Sequence, residues 1–147
     1  MGPGTEPVTN VGPLIDRSAL EKVTRHVADA QERGARLLIG GAPHEHGGTF
    51  FSPTVLDGVG ADAAMACEET FGPVAGVQRF SDEADVIRVA NNTPYGLAAY
   101  FYSRDVGRIF RVSEQLEYGI LGINTGFISV EVAPFGGVKE SGIGREG

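Results

Sequence analysis

The sequence predicts an α/β fold, a mostly parallel sheet with flanking helices, and three observations carry that reading. Apolar segments of strand length alternate with amphipathic stretches of helical period. The connections between them are short, as right-handed crossovers between parallel strands require. Glycine supplies 22 of 147 residues, against a usual share of about 7%. These glycines punctuate the apolar segments and crowd the C-terminal end, a pattern of tight turns and close backbone approach.

Taken in order, residues 1–13 have no period and carry Pro3, Pro7 and Pro13, an extended lead-in. They lack the makings of a core, which suggests a piece of something longer. From Asp16 to Arg33 the pattern is helical, with Leu20, Val23, Val27 and Ala30 on one face and Glu21, Lys22, Arg25, Asp29 and Glu32 on the other. Asp16 can cap this helix, Ser18 and Glu21 have capping-box spacing, and Gly34 can close the end. Ala35–Ile39 reads as a strand stopped by Gly40-Gly41, and Phe50–Leu56 as another, with Pro53 marking an edge or a bend. Ala61–Ala66 leads into the stretch Cys67–Pro73, and Val74–Phe80 is the next strand. Ser81 caps a helix with Asp82 and Glu83 in its first turn, which buries Val86, Ile87 and Ala90 and ends near Asn91. Leu97–Tyr102 is a strand. A helix from Asp105 to Glu117 packs through Val106, Ile109, Phe110 and Leu116, with Gly119 as its stop, and Ile120–Asn124 is a strand again.

Composition excludes several functions. A net charge of −7 lacks the basic footprint of nucleic-acid binding. No apolar run reaches membrane-spanning length, and the N-terminus has neither a basic nor an apolar leader region. The single cysteine, Cys67, forms no internal disulfide. The expectation is a cytoplasmic protein without nucleic-acid or membrane partners.

Few local patterns carry chemistry unaided. His44-Glu45-His46 offers two imidazoles but no third ligand nearby, so no metal site is expected. Gly142-Ile143-Gly144-Arg145-Glu146-Gly147 has dinucleotide-fingerprint spacing without the preceding strand and following helix that give the fingerprint meaning. Cys67 stands beside Glu68 and Glu69, whose charge disfavours a thiolate, so it is a bystander rather than a nucleophile. In Cys67–Pro73, Pro73 stiffens the turn and pushes Gly72 away from the helical region. Glu68 and Glu69, being adjacent, have different surroundings.

The runs Glu68-Glu69-Thr70-Phe71-Gly72-Pro73 and Pro134-Phe135-Gly136-Gly137-Val138-Lys139-Glu140-Ser141-Gly142 resemble signatures of the aldehyde dehydrogenase superfamily. Asn91-Asn92-Thr93-Pro94-Tyr95-Gly96-Leu97 and Tyr118-Gly119-Ile120-Leu121-Gly122-Ile123-Asn124 support the likeness. Within the superfamily, Asn124–Ser129 and Glu131–Pro134 are most similar to succinate-semialdehyde dehydrogenases.

The resemblance implies that residues 1–147 are the C-terminal part of an aldehyde dehydrogenase catalytic domain. The N-terminal cofactor domain, the nucleophile segment and the C-terminal tail would be absent. Glu69 would accept hydrogen bonds from the nicotinamide ribose hydroxyls of NAD or NADP, and Phe71 would pack beside the nicotinamide. Both would turn inward, with Glu68 structural. Ser129 would bind the remote carboxylate of a semialdehyde, and Phe135 would line the substrate pocket. No residue here matches the family's catalytic cysteine, glutamate or asparagine, so the parent reaction, aldehyde to acid with NAD(P), would not run on this chain alone. The parent enzyme would be a homo-oligomer acting on a small aldehyde, with succinate semialdehyde first and glutarate semialdehyde second. A non-catalytic binding or assembly module is the alternative from another class.

Overall fold

The computed structural model describes residues 1–146. Its first long element, α1 (Arg17–Glu32), begins where Asp16 accepts a hydrogen bond from the Ala19 N–H at 2.8 Å. Ser18 lies inside the helix, so Asp16 makes the cap without the Ser18–Glu21 box. At the other end Gly34 takes a φ of +97°. The N–H groups of Gly34 and Ala35 then donate to the carbonyls of Gln31 and Ala30, both at 2.9 Å. This pair of bonds satisfies carbonyls the helix leaves orphaned, and glycine is the residue that adopts the required φ without strain.

The chain divides into two units, Met1–Arg79 and Phe80–Gly147. In the first, β1 (Arg36–Ile39) runs antiparallel to β2 (Thr54–Asp57), which runs parallel to β3 (Val74–Val77). The short helix α2 (Ala64–Cys67) lies in the crossover between the parallel strands. Pro53 delays β2: the strand starts at Thr54, and Phe51 makes only an isolated bridge to Pro43. Residues 1–13 contain no helix or strand, as expected, but the Gly2 N–H reaches back to the Val11 carbonyl at 3.1 Å. The core consists of Val23, Val27 and Ala30 from α1 with Ala35, Phe51, Leu56, Val59 and Ala63. His26 is buried among them.

In the second unit α3 (Glu83–Asn91) is capped by Asp82, which accepts from the Asp85 N–H at 2.7 Å. The expected cap, Ser81, stands one position too early. There follow β4 (Tyr95–Gly96), β5 (Ala98–Phe101), α4 (Val106–Gln115), β6 (Ile120–Ile123) and β7 (Val138–Lys139). β5 and β6, separated by α4, are parallel over four residues; β4 and β7 are antiparallel. The strands thus form small sheets, parallel where a helix connects neighbours, and the α/β class stands.

Two packing expectations fail in this unit. Val106 and Phe110 are exposed, while Val112 is the buried side chain of α4, with Ile109 and Leu116 half-buried. The cause for Phe110 is phase: Val112 lies three residues beyond Ile109 and four before Leu116, and Phe110 falls off this stripe, while Val106 keeps the spacing but is the first residue of α4. Gly119 does not stop α4, which ends at Gln115. It has another role: a Cβ there would collide with the Gly136 carbonyl and lie 2.8 Å from the Gly136 carbonyl carbon. Among the described residues no helix is long and apolar enough to cross a membrane.

Candidate functional site

The segment after α2 leaves the helix extended at Glu68, with φ −113° and ψ 146°. Its conformation is fixed from α1. The buried ring of His26 meets Glu68 Oε2 through Nε2 at 3.2 Å and Thr70 Oγ1 through Nδ1 at 2.7 Å. A carboxylate only accepts, so Nε2 is the donor to Glu68, and the Thr70 hydroxyl can serve Nδ1 as donor or acceptor. Arg25 and Lys22 on the same helix approach Glu68 Oε2 at 3.5 and 4.0 Å. The hydrogen bond from His26, reinforced by these cations, holds the Glu68 carboxyl below its ordinary range. Glu68 is thus the structural member of the pair, as expected.

Glu69 and Phe71 lie in the same unit, and both side chains are exposed, Phe71 at 74% of its surface. Glu68 and Thr70 reach one imidazole, which leaves Glu69 between them and Phe71 after them without that anchor. The result is a carboxylate and an aromatic ring presented outward from a fastened segment. An exposed carboxylate accepting from a vicinal diol, beside a ring offering an apolar face, suits the ribose and nicotinamide of a dinucleotide. Below the segment, Gly72 packs so close to Val23 that a Cβ would come within 2.6 Å of the valine Cγ2.

Ser129 and Phe135 belong to the second unit, and the structure brings them together along one open cavity of about 490 Å³ with Val130, Glu131 and Glu146. Asn124 starts this segment with φ 57°, its side chain exchanging hydrogen bonds with the Ser103 backbone at 2.9 and 2.8 Å. Phe135 is held by paired backbone bonds to Glu146, 2.7 and 2.9 Å. Lys139, at φ 54°, is kept in that costly conformation by its ammonium group. It donates to the Asn91 and Thr93 carbonyls at 2.8 and 3.1 Å and pairs with Glu117 at 2.7 Å. Ser141 Oγ accepts from the Gly96 N–H at 2.9 Å. The lining of the cavity is acidic, with no Lys or Arg among its described residues. A carboxylate placed there would meet a hydroxyl donor in Ser129 and no compensating cation among the described lining residues.

Cys67 is exposed and its thiol points at the Ala61 carbonyl, 3.5 Å away. No group of three metal-ligating side chains occurs among the described residues. In the glycine run that ends the chain, Gly142 and Gly144 have positive φ but follow no helix or long strand, and Gly147 lies outside the described residues. His26 was invisible as a polar anchor in the apolar pattern. The available signal was its position, three residues after Val23 and four before Ala30, on the buried face of α1.

The chain is 61% identical over 147 residues to the NADP(+) succinate-semialdehyde dehydrogenase GabD of Escherichia coli (strain K12). It is 58% identical over the same length to a glutarate-semialdehyde dehydrogenase of Pseudomonas aeruginosa. All of this chain and 30% of each relative are covered. The crystal structure of succinate-semialdehyde dehydrogenase from Burkholderia pseudomallei superposes with a TM-score of 0.98 at 58% identity, covering 100% of this chain and 30% of that one. The chain therefore spans about 30% of the length of the relatives it matches. The profile of the Aldehyde dehydrogenase family matches residues 1–147, and the chain belongs to that family.

Proposed function

We propose that this chain is the C-terminal part of the catalytic domain of an NAD(P)-dependent succinate-semialdehyde dehydrogenase. The observation that carries the reading is the segment Glu68–Pro73, fastened through Glu68 and Thr70 with Glu69 and Phe71 presented outward. In this reading Glu69 accepts hydrogen bonds from the nicotinamide ribose and Phe71 holds the flat ring. The bound cofactor would supply a hydride acceptor. Ser129 donates to the substrate's remote carboxylate, and Phe135 forms an apolar wall beside it. The cations that would neutralise that carboxylate belong to sequence other than this chain, in keeping with the acidic lining of the cavity.

In this reading the nucleophile also lies elsewhere: the hydrogen bond of the Cys67 thiol goes to the Ala61 carbonyl, which is no base to activate it. The exposed Leu38, Ile39, Phe80, Tyr102 and Phe110 are in keeping with surfaces that further chain covers. Succinate semialdehyde is the preferred substrate because the relative at 61% identity bears that name. The glutarate-semialdehyde relative at 58% keeps the five-carbon analogue in the assay.

The test is a chimera in which these 147 residues replace the matching 30% of the Escherichia coli enzyme. Reduction of NADP by succinate semialdehyde is expected from the chimera, at higher kcat/KM than with glutarate semialdehyde, and none from the isolated chain. A folded chimera without turnover would sink the proposal, and so would turnover by the isolated chain.

A further inference from the structure

We infer that His26 is the positioning residue that aims Glu69 and Phe71, an inference that rests on the cofactor reading above. His26 is fully buried, and it and Thr54 are the buried polar side chains among the described residues. Thr54 is satisfied locally, accepting from the Gly41 N–H and donating to the Ser52 carbonyl. His26 instead spends both ring nitrogens on one remote segment, 42 and 44 residues along the chain. A buried imidazole without partners is costly, so the ring and the segment hold each other in place.

The geometry makes this more than packing. The two nitrogens of one rigid ring engage residues 68 and 70, on either side of Glu69, in a segment that leaves α2 with extended backbone at Glu68. Gripping both restrains the backbone of Glu69 between them, and with it the direction in which Glu69 and the adjoining Phe71 project. Neither bond alone would do so: holding only Glu68 leaves the segment free to twist at Glu69, and holding only Thr70 leaves its start loose. Arg25 and Lys22 contribute charge to Glu68 but, at 3.5 and 4.0 Å from an exposed carboxylate, little aim. His26 touches neither cofactor nor substrate; it acts through the segment.

Two experiments test the assignment. In the full 147-residue chain, His26→Leu keeps the buried volume and removes both bonds, while Thr70→Val leaves the ring in place and removes one. Amide exchange at Glu68 and Val74, whose N–H groups bound the segment and donate to the Ala64 and Gly72 carbonyls at 2.8 Å, is expected to speed about tenfold in each variant, the scale of one lost buried hydrogen bond, with Val27 and Leu56 changing less than about twofold. In the chimera, His26→Gln is expected to raise KM for NADP about tenfold while kcat changes less, because the cofactor site is misaimed rather than dismantled. Unchanged exchange in the loop, or equal acceleration at Val27 and Leu56, overturns the inference. An unchanged KM in His26→Gln overturns it too when Glu69→Gln in the same chimera is impaired. If Glu69→Gln is itself unimpaired, the cofactor reading falls instead, and the exchange data alone decide whether His26 holds the segment.

Discussion

Replacing Gly119 by alanine probes how tightly the Phe135 loop is built. Gly119 joins Tyr118 to β6 and donates its N–H to the Gly96 carbonyl at 2.9 Å. On its other side the backbone of Gly136 and Gly137 lies against the Cα. A Cβ would fall 2.8 Å from the Gly136 carbonyl carbon and 2.9 Å from the Gly137 Cα, besides colliding with the Gly136 oxygen. All three obstacles are backbone, so no rotamer change relieves them, and either Gly136 retreats or the Gly96 bond breaks. Overpacking of this kind costs about 1–3 kcal/mol. Gly12→Ala is the control, since nothing lies within 4 Å of a Cβ there, and its effect should stay within about 0.5 kcal/mol. Urea unfolding measures the stabilities, and amide spectra locate the change. Gly119→Ala should unfold at lower urea and shift the resonances of Phe135, Gly136 and Gly137. Equal midpoints for the two variants, with the Phe135 resonance unmoved, would refute the close-approach argument.

Other predictions follow from the core and the charges. Leu56→Ala removes a fully buried side chain from the centre of the first unit's core and should cost about 2–5 kcal/mol in urea unfolding. The acid limb of stability should be pronounced. Hydrogen bonds from Ala64 to Asp29, Arg79 to Asp57, His26 to Glu68, Arg111 to Glu83 and Arg108 to Asp105 hold these carboxyls below their ordinary range. A carboxyl depressed in the folded state contributes fully above its unfolded value, about 4, and loses that contribution as pH falls through the folded value. The urea midpoint should therefore be flat from pH 7 to about 5 and fall below pH 4; a midpoint that rises on acidification would contradict the pairings.

Much of the fold was legible because capping and periodicity are local. Asp16, Gly34 and Asp105 announce helix ends whose chemistry is settled within four residues, and α1 forms where its apolar stripe predicts. Where the reading slipped, several residues competed for one role or a tertiary contact decided the outcome. Ser81 and Asp82 are both competent caps, and only the onset of helical backbone at Glu83 selects Asp82. Gly119 reads as a helix stop until the approach of Gly136, 17 positions later, is known. The candidate site divides the same way. Glu69, Phe71, Ser129 and Phe135 are candidates on a resemblance to signatures alone, whereas the structural role of Glu68 is seen in its bond to His26. The outward aim of Glu69 and Phe71 was not legible, since it depends on a histidine more than 40 residues upstream that periodicity assigns to an apolar core.

Glu69, held outward by the His26 anchor, is proposed to bind the nicotinamide half of the cofactor. The most direct measurement is KM for NADP in the chimera carrying Glu69→Gln. Loss of charge-assisted hydrogen bonds to the ribose should raise KM about 10- to 100-fold while leaving urea stability unchanged. A KM equal to that of the parent chimera would contradict the account.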